Sequence, residues 1–423
     1  MTSVKTFETE ADAITFLDSL GGYVDPEAVT PLKGEAAHEV AVGPVHAGVI
    51  EPGHFRFQCM GEDVYNLQIF LGYQHRGVEE EIVKADGNVI RQVALAETCA
   101  GDTSIAAATA FSEIMESVGR WQMVDGRGQM ADGRGQMADG SGNVQPTNNP
   151  PPTTNYQLPA TNHQLRSLLL ELERIANHVG DLGALAGDVA FLPTASFCGR
   201  IRGEYLNMTA LICGNRFGRN AVVPGGMRVK LTCDKRGQLK EWIARVKKDL
   251  DGALKLMFEE PSVLERFEGT GVVSKEIAEE IGLVGVARRA SVEFKGDVLS
   301  RAMVRRIEIE EAHQKVFDLL EGGRNEIEGE GCWSAESAHS AVQPPTSNLQ
   351  PAFTAVTATV NAWRGPLVHA ALFDGSGRML RYKIVDPSAH NWQGLAYALR
   401  GEQISNFPIC NKSFNLSYCG TDR

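Results

Sequence analysis

Between residues 163 and 191 apolar side chains return every three or four positions. Leu168, Leu172, Ile175, Val179, Leu182 and Leu185 form one stripe, and Leu169 and Leu170 widen it. The pattern predicts a long, well-buried central helix. A second helix is expected in GDTSIAAATAFSEIMESVG, with Ile105, Ala108, Ile114, Met115 and Val118 on its apolar face and cap-competent Asp102 and Thr103 at its start. Helical patterns continue at 237–258, 274–282 and 297–321. Strand-like alternation occurs earlier: Phe55 and Phe57 alternate with polar neighbours, Gly61-Glu62-Asp63 supplies a turn, and Val64 to Ile69 resumes the alternation. AWRGPLVHAALFDGSGRMLRYKIVD reads as a late hairpin. The expected class is α+β and predominantly helical, with a small N-terminal antiparallel hairpin sheet and a late β-hairpin.

Two stretches break the pattern. DGRGQMADGRGQMADGSG repeats every seven residues and runs into a Pro/Asn/Thr tract, and GEGCWSAESAHSAVQPPTSNLQP is similarly biased. Neither carries enough apolar surface to offset its ordering entropy, so flexible insertions are expected at about 124–160 and 329–351. Residues 1–38 read as a polar segment holding a short helix and a linker, and 39–423 as one continuous body.

Composition narrows the function classes. With 53 acidic against 41 basic residues the net charge is -12, which disfavours nucleic acid as a partner. No apolar run approaches the ~20 residues that a membrane-spanning helix needs, and the first twenty residues lack a secretory apolar segment. Membrane association is therefore expected only through partners, as a peripheral protein on the cytoplasmic face. The eight cysteines form no CxxC pair, so reduced and mostly buried thiols are expected.

Several stretches in order resemble one superfamily: the large subunit of membrane-bound, energy-converting nickel-iron hydrogenases and the D-type subunit of respiratory NADH:quinone oxidoreductase. They include GPVHAGVIEPGHFRF, LGYQHRGVEE, LLLELERIANHVGDLGALAGDVAF, NRFGRNAVVPGG, AWRGPLVH and the terminal CGTDR. The resemblance covers roughly residues 40–423 apart from the two insertions. It implies an oxidoreductase subunit docked on a small iron-sulfur subunit, a C-type (30-kDa-like) subunit and membrane-arm subunits. NAD and the iron-sulfur clusters would belong to those partners.

The hydrogenases of this superfamily bind nickel and iron through two CxxC pairs, because soft thiolates hold and bridge those metals. Aligning ETCAGDTS with the first pair puts Thr103 at a ligand position and Cys99 one residue off the other. Anchoring the tail SFNLSYCGTDR on Thr421-Asp422-Arg423 puts Ser417 and Gly420 at the second pair, with Cys419 out of register. The expectation is no metal centre. An altered site using Cys99, Cys410 and Cys419 requires a register change at both ends.

Three polar residues remain as catalytic candidates. His54 lies near the place of the quinone-headgroup histidine of D-type subunits, with His46 as its competitor; a histidine can donate both a hydrogen bond and a proton near neutral pH. Glu79 matches the acid of a proton-relay motif in HRGVEE, a role that burial supports by raising a carboxyl pKa. Asp102 lies beside the vacated metal position. Asp181, Asp188, Arg216, Arg219, Asp297 and Arg301 read as buried pairs between helices. Three readings follow: electron transfer from a neighbouring iron-sulfur subunit to a quinone or related proton-coupled site, a catalytically silent structural subunit, or a hydrogenase with an altered metal site.

Overall fold

The computed structural model describes residues 1–26, 28–46, 51–119, 160–321 and 353–422. Apart from residue 160, both expected insertions lie outside the described residues. Strand β1 (Thr2–Phe7) and helix α1 (Glu10–Ser19) open the chain, with Thr9 capping α1 through its side-chain oxygen and the Asp12 N–H. Strands β2 (Ala37–Val42), β3 (His54–Met60) and β4 (Asp63–Phe70) form an antiparallel meander in that order. Phe55, Phe57, Leu67 and Ile69 turn inward from it, as the alternation predicts.

The body is helical. It begins with α2 (Val78–Lys84), α3 (Val89–Glu97) and α4 (Ser104–Ser117), followed by α5 (Ala160–Asp188) and α6 (Leu192–Cys213). A two-residue-strand hairpin, β5 (Val222–Val223) and β6 (Gly226–Met227), leads into α7 (Cys233–Glu259). Then come α8 (Pro261–Phe267), α9 (Lys275–Glu280), α10 (Gly285–Glu293) and α11 (Val298–Glu321). Every member of the predicted α5 stripe, from Leu168 to Leu185, is buried, so this helix is the axis of the molecule.

Helix α6 crosses α5 at close range because glycines permit it. A Cβ on Gly183 would stand 2.6 Å from Cys198 Cβ, and one on Gly180 would stand 2.8 Å from Arg202 Cδ. The same glycines leave a groove between the helices.

The late hairpin is present as β8 (Gly365–Asp374) and β9 (Met379–Val385), but it belongs to a larger sheet. Strand β7 (Phe353–Ala362) pairs with β8, and β1 pairs with β7, giving the antiparallel order β1-β7-β8-β9. Residues expected to hold only a helix and a linker thus contribute a strand. Helices α12 (Pro387–Ala398), α13 (Phe407–Phe414) and α14 (Tyr418–Asp422) close the described chain. Asp422 ties that end down: its carboxylate accepts the Gly72 N–H at 2.7 Å and the Gln74 N–H at 2.8 Å. No helix among the described residues is long and apolar enough to cross a membrane.

Candidate functional site

The loop between α3 and α4 carries Asp102, and three elements fix it. Asn177 of α5 donates to the Asp102 carbonyl at 2.8 Å, and Trp363 Nε1 donates to the same carbonyl and to Thr103 Oγ1. The Asp102 carboxylate receives both terminal nitrogens of Arg364, at 2.9 and 2.8 Å. Arg364 sits in the turn between β7 and β8, buried, with its guanidinium 3.9 Å over the Trp363 ring. Burial raises the Asp102 pKa, but the Arg364 charge outweighs it and holds the carboxyl below its ordinary value. The expected cap of α4 by Asp102 or Thr103 is therefore not made. Glu173 of α5 takes that place and accepts the Ile105 and Ala106 N–H groups at 2.8 and 3.4 Å.

From Arg364 a polar chain runs inward. Its Nε donates to the Asn415 carbonyl, and Asn415 Nδ2 donates to Asp181 Oδ1 at 2.6 Å. The other Asp181 oxygen accepts Arg305 Nε at 2.9 Å, with both side chains buried. Asn415 holds φ +46° at the end of α13, a left-handed conformation that asparagine tolerates. This geometry lets its carbonyl and its side chain serve two different partners.

Two cavities flank this chain. One, of about 620 Å³, follows the α5–α6 groove and is lined by Asn177, Asp181 and Arg202 among others. The other, of about 570 Å³, is lined by Glu51, Asp188, Arg364, Tyr418 and Cys419 among others. Asp102, Lys412 and Asn415 line both. The walls thus carry donors and acceptors of both charge signs, ending on one side at an arginine already oriented by its carboxylate.

The proposed metal positions converge here, and the residues present do not fit a four-thiolate centre. Thr103 Oγ1 is engaged by Trp363, Arg364 and Asp102. Ser417 Oγ accepts the Gly420 N–H at 2.9 Å. A Cβ at Gly420 would stand 2.7 Å from Asp386 Oδ2 and 2.8 Å from Ser417 Oγ, so even the first carbon of a cysteine is obstructed. Burial keeps the Asp386 carboxyl raised against the pull of Arg364. Cys99 Sγ lies 4.0 Å from the Gly420 carbonyl, so the loop before α4 meets the last described helix, and no cluster of metal-ligating side chains forms among the described residues. Cys419 is half-buried on the cavity wall, 3.5 Å from Ser417 Oγ, and burial lifts its thiol to about 11. Cys410 is buried apart from it, against the backbone at Gly271.

Of the candidates read from sequence, Asp102 stands at the centre. His54 begins β3, its Nδ1 3.3 Å from the Gly43 carbonyl and its ring beside Phe70. It borders the site through its neighbour Gly53, where a Cβ would stand 2.6 Å from the Tyr418 ring. His46 contacts the Gly53 carbonyl. Glu79 lies at the start of α2 and accepts the Ile384 N–H of β9 at 2.7 Å, while nearby Arg76 donates to the Cys99 carbonyl. The expected buried pairs hold for Asp181, whose partner is Arg305. They fail for Asp188, Arg216 and Arg219, which are exposed, and Asp297 and Arg301 bond instead to Ser300 and Ser413. Arg364, Glu51 and Glu173 were not singled out from sequence. Each acts on a partner far along the chain, a relation without local periodicity.

Residues 188–294 match the family model described as "Respiratory-chain NADH dehydrogenase, 49 Kd subunit". Hydrogenase-4 component G of Escherichia coli (strain K12) is 25% identical over 401 residues, covering 92% of this chain and 62% of that protein. The chain therefore spans less than two thirds of that relative. The carbon monoxide-induced hydrogenase of Rhodospirillum rubrum is 25% identical over 412 residues, covering 92% of this chain and 100% of the relative. NADH-quinone oxidoreductase subunit 4 of Thermus thermophilus is 28% identical over 274 residues, 56% of this chain and 67% of that one. Among solved structures, a chain of the membrane-bound sulfane sulfur reductase, an archaeal respiratory membrane complex, superposes with a TM-score of 0.71 at 21% identity, covering 92% of this chain and 99% of its own. Over residues 188–294 the chain is similar to the respiratory NADH dehydrogenase 49-kDa subunit, and over most of its length it is similar to proteins described as hydrogenases.

Proposed function

We propose that this chain is a peripheral subunit of a membrane-bound, NADH-quinone-oxidoreductase-like or hydrogenase-like respiratory complex, and that the Asp102–Arg364 cavity receives the electron acceptor. Electrons would arrive from the cluster of a neighbouring small iron-sulfur subunit, and C-type and membrane-arm subunits would complete the assembly. A quinone headgroup suits the cavity by size and chemistry. Its carbonyls need donors when charge builds on them, and Lys412 together with the Arg364 edge supplies fixed positive charge in a partly closed space. The observation that carries this reading is the cavity itself: a space of hundreds of cubic ångströms is lined by both members of an oriented ion pair. His54 and Glu79 act at the margin of this site in our reading, His54 beside the Tyr418 end and Glu79 near the Cys99 loop.

The test uses the intact complex. A short-chain quinone analogue is titrated into the wild type and into the Arg364→Gln and His54→Ala variants, alongside metal analysis. The expected result is saturable binding weakened at least about tenfold in Arg364→Gln, equivalent to ~1.4 kcal/mol, with a smaller loss in His54→Ala. Absence of binding to the wild-type complex would leave the structural-subunit reading standing. Nickel in stoichiometric amount would overturn the reading of the tail.

A further inference from the structure

The buried acid that caps the start of α4 also borders a small void. Glu173 lies on α5, buried, with its carboxylate directed at the first turn of α4. A void of about 10 Å³, the size of a single water, is lined by Glu173, Asp102, Asn177, Thr209, Arg216 and Phe217. Asp102 and Asn177 also line the 620 Å³ cavity, so the void and the cavity share a wall. On its far side, Arg216 and Phe217 are exposed. Glu173 and Asp102 thus meet at a void that borders the 620 Å³ cavity on one side and the exposed Arg216 loop on the other.

We infer that Glu173 is the proton-carrying group that links solvent at the Arg216 loop to the Asp102 cavity. Two-electron reduction of a quinone consumes two protons, each forming an O–H bond at a headgroup oxygen. In this route the Glu173 Oε–H bond breaks, its proton passes through the water in the void to the cavity side, and solvent reprotonates the carboxylate past Arg216. The electrons are those of the iron-sulfur partner. The inference rests on the quinone reading for its acceptor but not for the state of the acid.

The surrounding charges fit a carboxyl that holds its proton at neutral pH. Burial lifts Glu173 to about 8 against the two backbone N–H groups; Asp102 across the loop raises it further and Arg174 on its own helix lowers it. Arg216 faces the void from the loop after α6. Such a pKa is matched to shuttling near neutrality.

The test has two arms. In infrared titration of the intact complex, a protonated-carboxyl band is expected at pH 7 that fades near pH 8 and is missing in Glu173→Gln. A band unchanged in Glu173→Gln at pH 7 overturns the inference whatever the acceptor. In turnover with a quinone analogue, Glu173→Gln is expected to slow reduction about 100-fold with analogue binding unchanged, and Glu173→Asp to recover part of the rate. Wild-type turnover in Glu173→Gln also overturns it. Lack of quinone turnover in the wild type defeats the quinone reading alone and leaves the infrared arm to decide.

Discussion

At the residue scale, the site contrasts two arginine–aspartate pairs. Asp181–Arg305 is closed, with side-chain exposures of 4% and 1%, whereas Asp102 of the Asp102–Arg364 pair is 33% exposed toward the cavity. Removing one member of a closed pair strands the other charge without solvent, at a cost of ~3–5 kcal/mol. Asp181→Ala is therefore expected to lower stability by about that amount in denaturant titration. Asp102→Asn should cost less, about 2 kcal/mol, because water reaches its side of the pair and Arg364 keeps the Asn415 carbonyl. If the two variants proved equally stable, the cavity would not be wet on the Asp102 side. The site's chemistry was only partly visible in sequence for a related reason. Asp102 precedes a recognisable helix and can be singled out locally, while Arg364 meets it across 262 positions of chain.

At the element scale, the fold follows its patterns where one face is buried and departs from them where pairing is remote. The α5 stripe and the β3–β4 alternation both lie where expected. Strand β1 does not announce itself, because Thr2 to Thr6 are all exposed and its pairing is with residues 353–358. Helix α6 is hidden for another reason: glycines at 199 and 203 and mixed polar residues blur its stripe, since it lies against α5 by close backbone approach. The end of the chain shows how one residue can seat an element. Two backbone N–H groups of the loop before α2 converge on the Asp422 carboxylate, and His75 Nδ1 meets the Asp422 carbonyl at 2.8 Å. Charge-assisted bonds of this kind contribute about 1.5–3 kcal/mol each when buried. Asp422→Ala should therefore release α14 locally before it unfolds the body. Limited proteolysis is expected to clip the variant near residues 415–418 under conditions that leave the wild type whole; equal resistance would show that Trp392 and Tyr418 packing holds the tail unaided.

At the scale of the whole molecule, buried acids of opposite tendency shape the response to pH. Burial raises Glu308, but His178, Arg174 and Arg289 outweigh it and bring the carboxyl down to about 2. That group contributes stability above its ordinary range, lost as pH falls from 4.5 toward 2. Glu97 and Glu173 act in the other direction. Burial lifts Glu97 to about 7 against the Asn220 N–H, Arg219 and Arg228, and Glu173 to about 8. Folded protein binds these two protons more tightly than unfolded chain, so their contribution is full below about 4.5 and is lost as pH rises through 7 and 8. Burial lowers His313 to about 4, so its neutral form favours folding as pH rises from 4 to 6.5 and adds nothing to the slope beyond that. Between pH 6.5 and 8 the two glutamates therefore dominate, and the urea midpoint of the wild type is expected to fall across this interval. Glu173→Gln removes the later part of the fall and Glu97→Gln the earlier part, so the double variant should show a nearly flat midpoint from pH 6.5 to 8. A fall of wild-type size in the double variant would mean that both carboxyls are already ionised in the folded protein, which would also remove the proton that Glu173 is inferred to carry.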